Sequence, residues 1–339
     1  MPSKIAVVGA GSWGTALAVL LARKGFGVVL WARRPELAEN LRQYKENSAY
    51  LPGVMLPDTI RIENDLERTL KGAEVVVLSV PSHAVRETTR KLLPYLEQDA
   101  VVVNTAKGLE VDTGLRLSQV LAEEGIEKLA VLSGPSHAEE VGRGLPTTVV
   151  VTSRQRKLAE YVQEIFMCPS FRVYTNPDVV GVELGGALKN IIALATGMSD
   201  GLGLGDNARA ALMTRGLAEI ARLGVALGAN PLTFTGLAGI GDLIVTCSSM
   251  YSRNRRAGIS LGEGRPLEEV LHNLGMVVEG VRTTAAARKL ARQMDVPMPI
   301  TEEVYQVLYE GKPVRECVAA LMERKPTTEV GFLGIGWSG

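Results

Sequence analysis

The sequence predicts an α/β protein in two parts: a doubly wound, mainly parallel sheet over the N-terminal half, then an all-α C-terminal domain. Three observations carry this expectation. A glycine-rich turn, Gly9-x-Gly11-x-x-Gly14, joins a short apolar strand to a helical pattern. Short apolar runs then alternate with helical patterns as far as Tyr174, the mark of a parallel sheet with crossover helices. Beyond Pro177 the strand-like runs cease and helical periodicity takes over. Asn176-Pro177-Asp178 signals a turn and a helix start, which divides the chain into residues 1–177 and 178–325, with a glycine-rich tail at 326–339.

In chain order, Lys4 to Gly14 reads as a strand entering the glycine turn, followed by a helix through Leu17, Leu20 and Leu21 to Gly25 and a second strand, Val28 to Trp31. This strand–turn–helix context makes the motif a Rossmann-type dinucleotide signature. Gly9 permits the tight turn, Gly11 lets backbone approach a pyrophosphate, and Gly14 allows close helix–strand packing, with Ser12 and Trp13 lining the diphosphate. Past the second strand, where an acidic residue would bond an NAD ribose, stand Arg33 and Arg34. Guanidinium groups suit a 2′-phosphate, so the expected cofactor is NADP(H), with NAD(H) open. Three more strands follow: Ala73 to Val80 entering VPSH, Ala100 to Asn104 entering TAKGLE, and Leu129 to Ser133 entering GPSHAEE. Ligands of such sheets gather beyond the carboxyl ends of the strands, which makes Pro81, Lys107, Gly134, Ser136 and Ala138 candidates around one crevice. Ser136 is equally suited to cap the next helix. Thr147 to Thr152 and Phe171 to Tyr174 are two further strands around a helix from Gln155 to Phe166.

The second half opens on Gly181 to Ile220, expected as one long helix or two in series. Leu184, Leu188, Ile191, Ala195 and Met198 form an apolar seam; Lys189, Thr196 and Asp200 share the other side, among Gly186, Ala193 and Gly197. Glycine in a helix interior costs ~1 kcal/mol against alanine, so close approach from both sides is implied. A lysine there is either a packed residue reaching a surface or a functional group. Further on, Asp242 is an isolated acid in an apolar run, and Ser252-Arg253-Asn254-Arg255-Arg256 offers donors of the kind a small phosphate needs. Glu279 follows an apolar pair in MVVEGVRTT, and the helices over 285–324 read as packing.

Composition narrows the class. Apolar residues make up 46% and charged residues 22%, as in an ordinary soluble globular protein. Lys plus Arg and Asp plus Glu are 37 each, so no net charge favours nucleic acid or an anionic membrane. Three scattered cysteines argue for a reducing compartment, and no apolar run approaches the ~18 residues of a membrane span. Met1 leads almost directly into the first strand, leaving no room for a signal peptide, so the expected location is cytoplasmic. His83, His137 and His272 match no zinc spacing; nucleophile-elbow, Walker and repeat patterns are missing.

The motifs GAGSWGTALA, WARRPE, VPSHAV, NTAKGLE, SGPSHAEEV, GALKNIIALATGMSDGL, TRGLAEI, GDLIVTCSS, SRNRRAG and VVEGVRTT occur in one order between residues 4 and 324. In this the chain closely resembles the bacterial NAD(P)-dependent glycerol-3-phosphate dehydrogenases. The resemblance implies interconversion of dihydroxyacetone phosphate and sn-glycerol 3-phosphate for glycerophospholipid synthesis, with Lys189 as the proton donor and acceptor. It implies that Lys107, Gly134, Ser136, Asp242, Ser252, Arg253 and Asn254 bind substrate. It also implies that Ser12, Trp13, Arg33, Arg34, Tyr50, Lys107, Ala138, Arg253, Val277 and Glu279 meet the dinucleotide, beside Gly9, Gly11 and Gly14. Partial burial and a nearby Lys107 would lower the Lys189 pKa while Asp242 raises it, so the net shift is open at this level. Two rival readings are a 3-hydroxy-acid dehydrogenase of the same plan, which would need a carboxylate site in place of SRNRR, and a non-catalytic NAD(P)H sensor. The expected partner is a small triose phosphate, not nucleic acid and not a membrane. A homodimer through the helical domain is the expected assembly, from surplus apolar helix in residues 205–325.

Overall fold

The computed structural model describes residues 1–326, 328 and 329; the expected tail at 326–339 therefore lies almost wholly outside the described residues. Among the described residues ten strands form: Lys4–Val8 (β1), Gly27–Trp31 (β2), Glu46–Asn47 (β3), Leu51–Met55 (β4), Arg61–Glu63 (β5), Val75–Leu78 (β6), Val101–Asn104 (β7), Leu129–Ser133 (β8), Thr147–Thr152 (β9) and Phe171–Asn176 (β10). Eight of them make one sheet in the order β10-β9-β8-β7-β6-β1-β2-β5. All neighbours are parallel except β8 and β9, which run antiparallel, so the sheet is mainly parallel as expected. The short pair β3–β4 and the edge strand β5 carry no apolar run long enough to be read from sequence, and all three lie between the second and third expected strands.

Helices Ser12–Arg23 (α1), Pro35–Tyr44 (α2), Leu66–Leu70 (α3), Val85–Leu92 (α4), Leu117–Glu123 (α5), Ala138–Gly142 (α6) and Arg156–Phe166 (α7) accompany the sheet. The continuous apolar strands follow from burial on both faces. Ile5 and Val7 of β1 pack with Leu17, Leu21 and Phe166 on one side. Ala6 and Val8 pack with Leu70, Val85 and Leu121 on the other. Strand order reverses at β1, which has β2 on one side and β6 on the other. The crevice at such a switch point is where ligands of open α/β sheets bind. The turns after β1, β2, β6, β7 and β8 all leave from this one edge of the sheet, bringing Gly9, Arg33, Pro81, Lys107 and Gly134 to it.

From Val179 the described chain is helical: Val179–Gly201 (α8), Gly205–Ala226 (α9), Asp242–Ser248 (α10), Arg253–Gly262 (α11), Leu267–Leu274 (α12), Glu279–Gln293 (α13), Pro299–Glu310 (α14) and Val314–Met322 (α15). The stretch Gly181 to Ile220 is two helices, because Gly203 and Gly205 take left-handed φ values of 72° and 80° that break the ladder between them. By length and composition α8 could cross a membrane, which corrects the expectation that no segment approaches such a span. However, 89% of its apolar window is buried inside the protein, and it is the core helix of this half. Its seam of Leu184, Leu188, Ile191, Ala195 and Met198 is buried, and so is the opposite side with Lys189 and Thr196. Glycines allow this. A Cβ on Gly185 would lie 2.3 Å from the Ala238 carbonyl oxygen, one on Gly186 2.6 Å from Ser133 Oγ, and one on Gly197 2.2 Å from the Arg255 carbonyl oxygen.

Candidate active site

The glycine turn has the shape the spacing implies. Gly9 takes φ +117°, and a side chain there would strike the Ser79 carbonyl at the start of the next crossover. A Cβ on Gly14 would meet the Gly9 carbonyl oxygen at 1.9 Å, whereas one on Gly11 would meet nothing within 4 Å. The space in front of α1 is thus open at the one glycine where a pyrophosphate must approach. No side chain caps α1 and its first turn holds no acid, so its N–H groups face that space. A dinucleotide fits here.

Neighbouring side chains support the turn. Ser12 Oγ donates to the Tyr50 carbonyl (2.6 Å), and Arg34 Nη2 donates to the Tyr50 hydroxyl (2.9 Å), so Tyr50 links the diphosphate loop to the end of β2. Arg33 and Arg34 are exposed beyond that strand, and Trp13 packs half-buried against the sheet core. Asn47 Nδ2 donates to the Ala10 carbonyl (3.0 Å) and to Thr15 Oγ1 (2.7 Å), holding the loop from beneath. Sequence reasoning missed Asn47, which lies in a two-residue strand with no motif around it.

The second half of the site converges on Asp242, the first residue of α10, whose side chain is 1% exposed. Its Oδ2 accepts from Lys107 Nζ at 2.8 Å, and its Oδ1 accepts from Lys189 Nζ. Lys107 also donates to the Gly134 carbonyl (2.9 Å), as does Ser136 Oγ (3.0 Å). Lys189 additionally donates to Thr246 Oγ1 (2.6 Å), which in turn donates to the Asp242 carbonyl (2.6 Å). Thr246 was not singled out from sequence, although its place four residues after Asp242, one helical turn on, was the available signal. Gly134 turns at φ +122° against the Val149 backbone, and Ala138 is the buried first residue of α6.

Burial is the largest influence on Lys189 and lowers its pKa to about 8; Asp242 pulls it back up and Lys107 adds to the lowering. Burial also pushes the Asp242 carboxyl up, but the two ammonium groups outweigh it and hold the pKa below the usual range. His137, with Nε2 3.4 Å from the Val245 carbonyl, is brought down to about 4, first by burial and then by the Lys189 charge. It is neutral at pH 7.

The basic cluster does not act as one patch. Ser252 caps α11 by accepting from Arg255 N (3.2 Å). Asn254 spans three helices, donating to Asn190 Oδ1 (2.9 Å) and accepting from Gly280 N (2.8 Å). Arg255 turns away to Asp200 (2.7 and 2.9 Å), which also binds Arg209. This gives Asp200 a structural role, and Thr196 is spent on the Ala193 carbonyl (3.1 Å). Arg253, half-buried, has Glu279 and Glu139 within electrostatic range. Glu279 accepts from Ser82 N (3.0 Å) and Ser82 Oγ (2.6 Å), joining the start of α13 to the VPSH turn; Val277 is half-buried just before it.

An open glycine turn at a helix N-terminus on the switch-point edge of the sheet, together with a buried Lys–Asp–Lys set, fits an oxidoreductase that uses a nicotinamide dinucleotide. Comparison with known proteins narrows this. Residues 4–159 match the family model described as NAD-dependent glycerol-3-phosphate dehydrogenase N-terminus, and residues 178–319 match its C-terminus counterpart. A relative from Moorella thermoacetica named glycerol-3-phosphate dehydrogenase (NAD(P)+) is 74% identical over 97% of this chain and 98% of its own. The crystal structure of glycerol-3-phosphate dehydrogenase from Coxiella burnetii superposes with a TM-score of 0.92 at 41% identity, over 95% of this chain and 99% of that one. The enzyme of that name from Saccharomyces cerevisiae matches with a TM-score of 0.81 at 28% identity, over 96% and 100%. The chain belongs to the NAD-dependent glycerol-3-phosphate dehydrogenase family.

Proposed function

We infer that this enzyme interconverts dihydroxyacetone phosphate and sn-glycerol 3-phosphate with NAD(P)H, and that Lys189 is the proton donor and acceptor. The observation that carries the catalytic role is the state of the Lys189 ammonium. Of its three donors, one is held by Asp242 and one by Thr246, leaving one uncommitted among the described residues. When bound, the nicotinamide supplies or takes up the hydride at C2. Lys189 Nζ gives a proton to the oxygen on C2 as charge develops there, and takes it back in the oxidative direction. A pKa of about 8 keeps Lys189 mostly charged near pH 7 yet close enough to neutrality to act in both directions. Lys107, anchored to Gly134 and Asp242, places a second positive charge beside the same oxygen.

We assign substrate contacts to Lys107, Gly134, Ser136, Asp242 and Arg253, with Ser252 and Asn254 acting chiefly by holding α11 and so Arg253 in place. The dinucleotide is assigned to Gly9, Gly11, Ser12, Trp13, Gly14, Arg33, Arg34, Tyr50, Lys107, Ala138, Arg253, Val277 and Glu279. Arg253 on the phosphate converts remote binding energy into position at C2. The division near residue 177 separates the cofactor half from the helical half, and the crevice between them takes the small substrate. The product would serve glycerophospholipid synthesis. We place the enzyme in the cytoplasm, where three free cysteines stay reduced. A homodimer through the helical half would give twice the chain mass by sedimentation velocity; a monomer mass at micromolar concentration rejects it.

Lys189→Ala tests the central assignment. It should lose about 10²–10⁴-fold in kcat while NADPH binding, followed by nicotinamide fluorescence, is retained. Near wild-type kcat, or preferred turnover of a 3-hydroxy acid over dihydroxyacetone phosphate, overturns the reading.

A further inference from the structure

We propose that Glu183 is a positioning residue for the reaction: through Arg116 and Ser118 it locks the segment that carries Lys107 to the helix that carries Lys189. The proposal rests on the role assigned to Lys189, and Glu183, Arg116 and Ser118 are not among the groups assigned above to substrate or cofactor. Glu183 lies on α8, six residues before Lys189, with a side chain 5% exposed. Its Oε1 accepts from Ser118 N (2.7 Å), and its Oε2 accepts from Ser118 Oγ (2.5 Å) and Arg116 Nη1 (2.5 Å). Arg116 also donates to Ser118 Oγ (2.8 Å), so the four groups close on one another.

The segment leaving β7 at Asn104 passes Lys107 and reaches Arg116 and Ser118 at the start of α5. It is fixed at Lys107 by Gly134 and Asp242, and midway at Glu110 by Arg86 (2.7 and 2.8 Å). A bridge between Leu109 and Arg116 closes the loop between those points and the lock. Of these ties, the one at Glu183 connects the segment directly to α8.

The choice of an ion pair here has a physical consequence. Apolar side chains could join the two parts at least as firmly, since burying a carboxylate and a guanidinium costs desolvation. What they do not supply is register: an apolar contact slides and rotates, whereas a carboxylate with both oxygens committed accepts one geometry. The active site needs that geometry, because Lys107 and Lys189 grip opposite oxygens of one Asp242 carboxylate. A displacement of about an ångström along α8 stretches one of the two hydrogen bonds beyond bonding distance.

Glu183→Gln keeps size and one acceptor but turns an amide N–H₂ towards Arg116. With its segment loosened, Lys107 is drawn away from Lys189, whose neighbours Asp242, His137 and Cys247 stay in place, so Lys189 titrates higher. The expected result is a fall in kcat of roughly tenfold or more, an unchanged Kd for NADPH, and an upward move of about half a unit or more in the pH at which ketone reduction falls off. A merely structural role lowers the thermal midpoint alone, with kcat per active site and the pH profile unmoved, and that outcome overturns the proposal. Should E183Q not fold, Ser118→Ala decides. It removes one donor, and a smaller loss of kcat with the same upward pH shift supports the lock, while wild-type kcat and profile reject it. Full activity in K189A would instead remove the reading beneath the proposal, which keeps the two failures apart.

Discussion

Asp242 is the residue on which the site balances, since one buried carboxylate faces two ammonium groups. Removing its charge leaves Lys189 in low dielectric beside Lys107, and breaking such a buried pair costs about 3–5 kcal/mol if the charge stays. The lysine has a cheaper escape, which is to lose its proton. Asp242→Asn should therefore shift the Lys189 pKa further below its value of about 8. With Lys189 as the proposed proton donor and acceptor, ketone reduction should need the protonated lysine and fall as pH rises through that pKa, and alcohol oxidation should need the neutral form and rise through it. In D242N both limbs should move to lower pH by about one unit or more, with a lower thermal midpoint. Unmoved limbs in both directions would show that Lys189 is not the group being titrated. Much of this was legible in sequence: Lys107, Lys189 and Asp242 each stood out as an isolated charge in an apolar or glycine-rich setting. Thr246 and Glu183 did not, because a threonine in an apolar helix and a glutamate near a helix start are ordinary by local standards. Lys189, which ties Thr246 into the site, is 57 positions from it, and the partners of Glu183 are 65 and 67 positions away.

Helix α8 organises the molecule because it is approached so closely from several directions. Its crossing with α11 is the tightest contact: a Cβ on Gly197 would lie 2.2 Å from the Arg255 carbonyl oxygen, and one on Gly258 2.2 Å from that of Leu194. Gly201 and Gly262 repeat the arrangement one turn on, at 2.3 Å from the Ile259 and Met198 carbonyls. Backbone meets backbone here, with no flexible side chain to give way. Gly258→Ala should cost more than the usual overpacking penalty of about 1–3 kcal/mol, measured as a drop in urea midpoint, and should raise the KM for dihydroxyacetone phosphate by displacing Arg253. A variant as stable as wild type would mean that the helices separate at little cost. Small residues at 186, 193 and 197 had already marked α8 as closely packed. The identity of the packing partner had not been readable, since nothing in SRNRRAG shows that its glycine faces this helix.

At the scale of the whole molecule, stability carries a pH signature remote from the site. Glu219, 2% exposed in the helical core, accepts from Ile300 N (2.6 Å), Thr301 N (3.2 Å) and Thr301 Oγ1 (3.2 Å) at the start of α14. Burial raises its pKa from 4.5 to about 7, against those hydrogen bonds. A carboxyl raised in the folded state contributes stability that is full below the unfolded value and lost as pH rises through the folded one. Stability should thus decline between about pH 4.5 and 7 by up to roughly 3 kcal/mol from this group. Glu219→Gln should flatten that decline in thermal melts at pH 5 and 8, and an unaltered difference between the two melts would rule out the group as its source.

By itself the sequence determined the succession of the seven apolar strands β1, β2 and β6 to β10, the glycine turn and the isolated charges. Each of these is set by local chemistry: φ freedom at glycine, periodicity of apolar residues, and the rarity of a lone charge among small side chains. Only the tertiary structure decided the antiparallel placement of β9, the break between α8 and α9, and the diversion of Arg255 to Asp200. It alone joined Lys107, Lys189 and Asp242 through residues as much as 135 positions apart. Such pairings depend on which surfaces meet after folding: a lone charge in an apolar run shows locally that it needs a partner, but nothing local shows which residue that partner is.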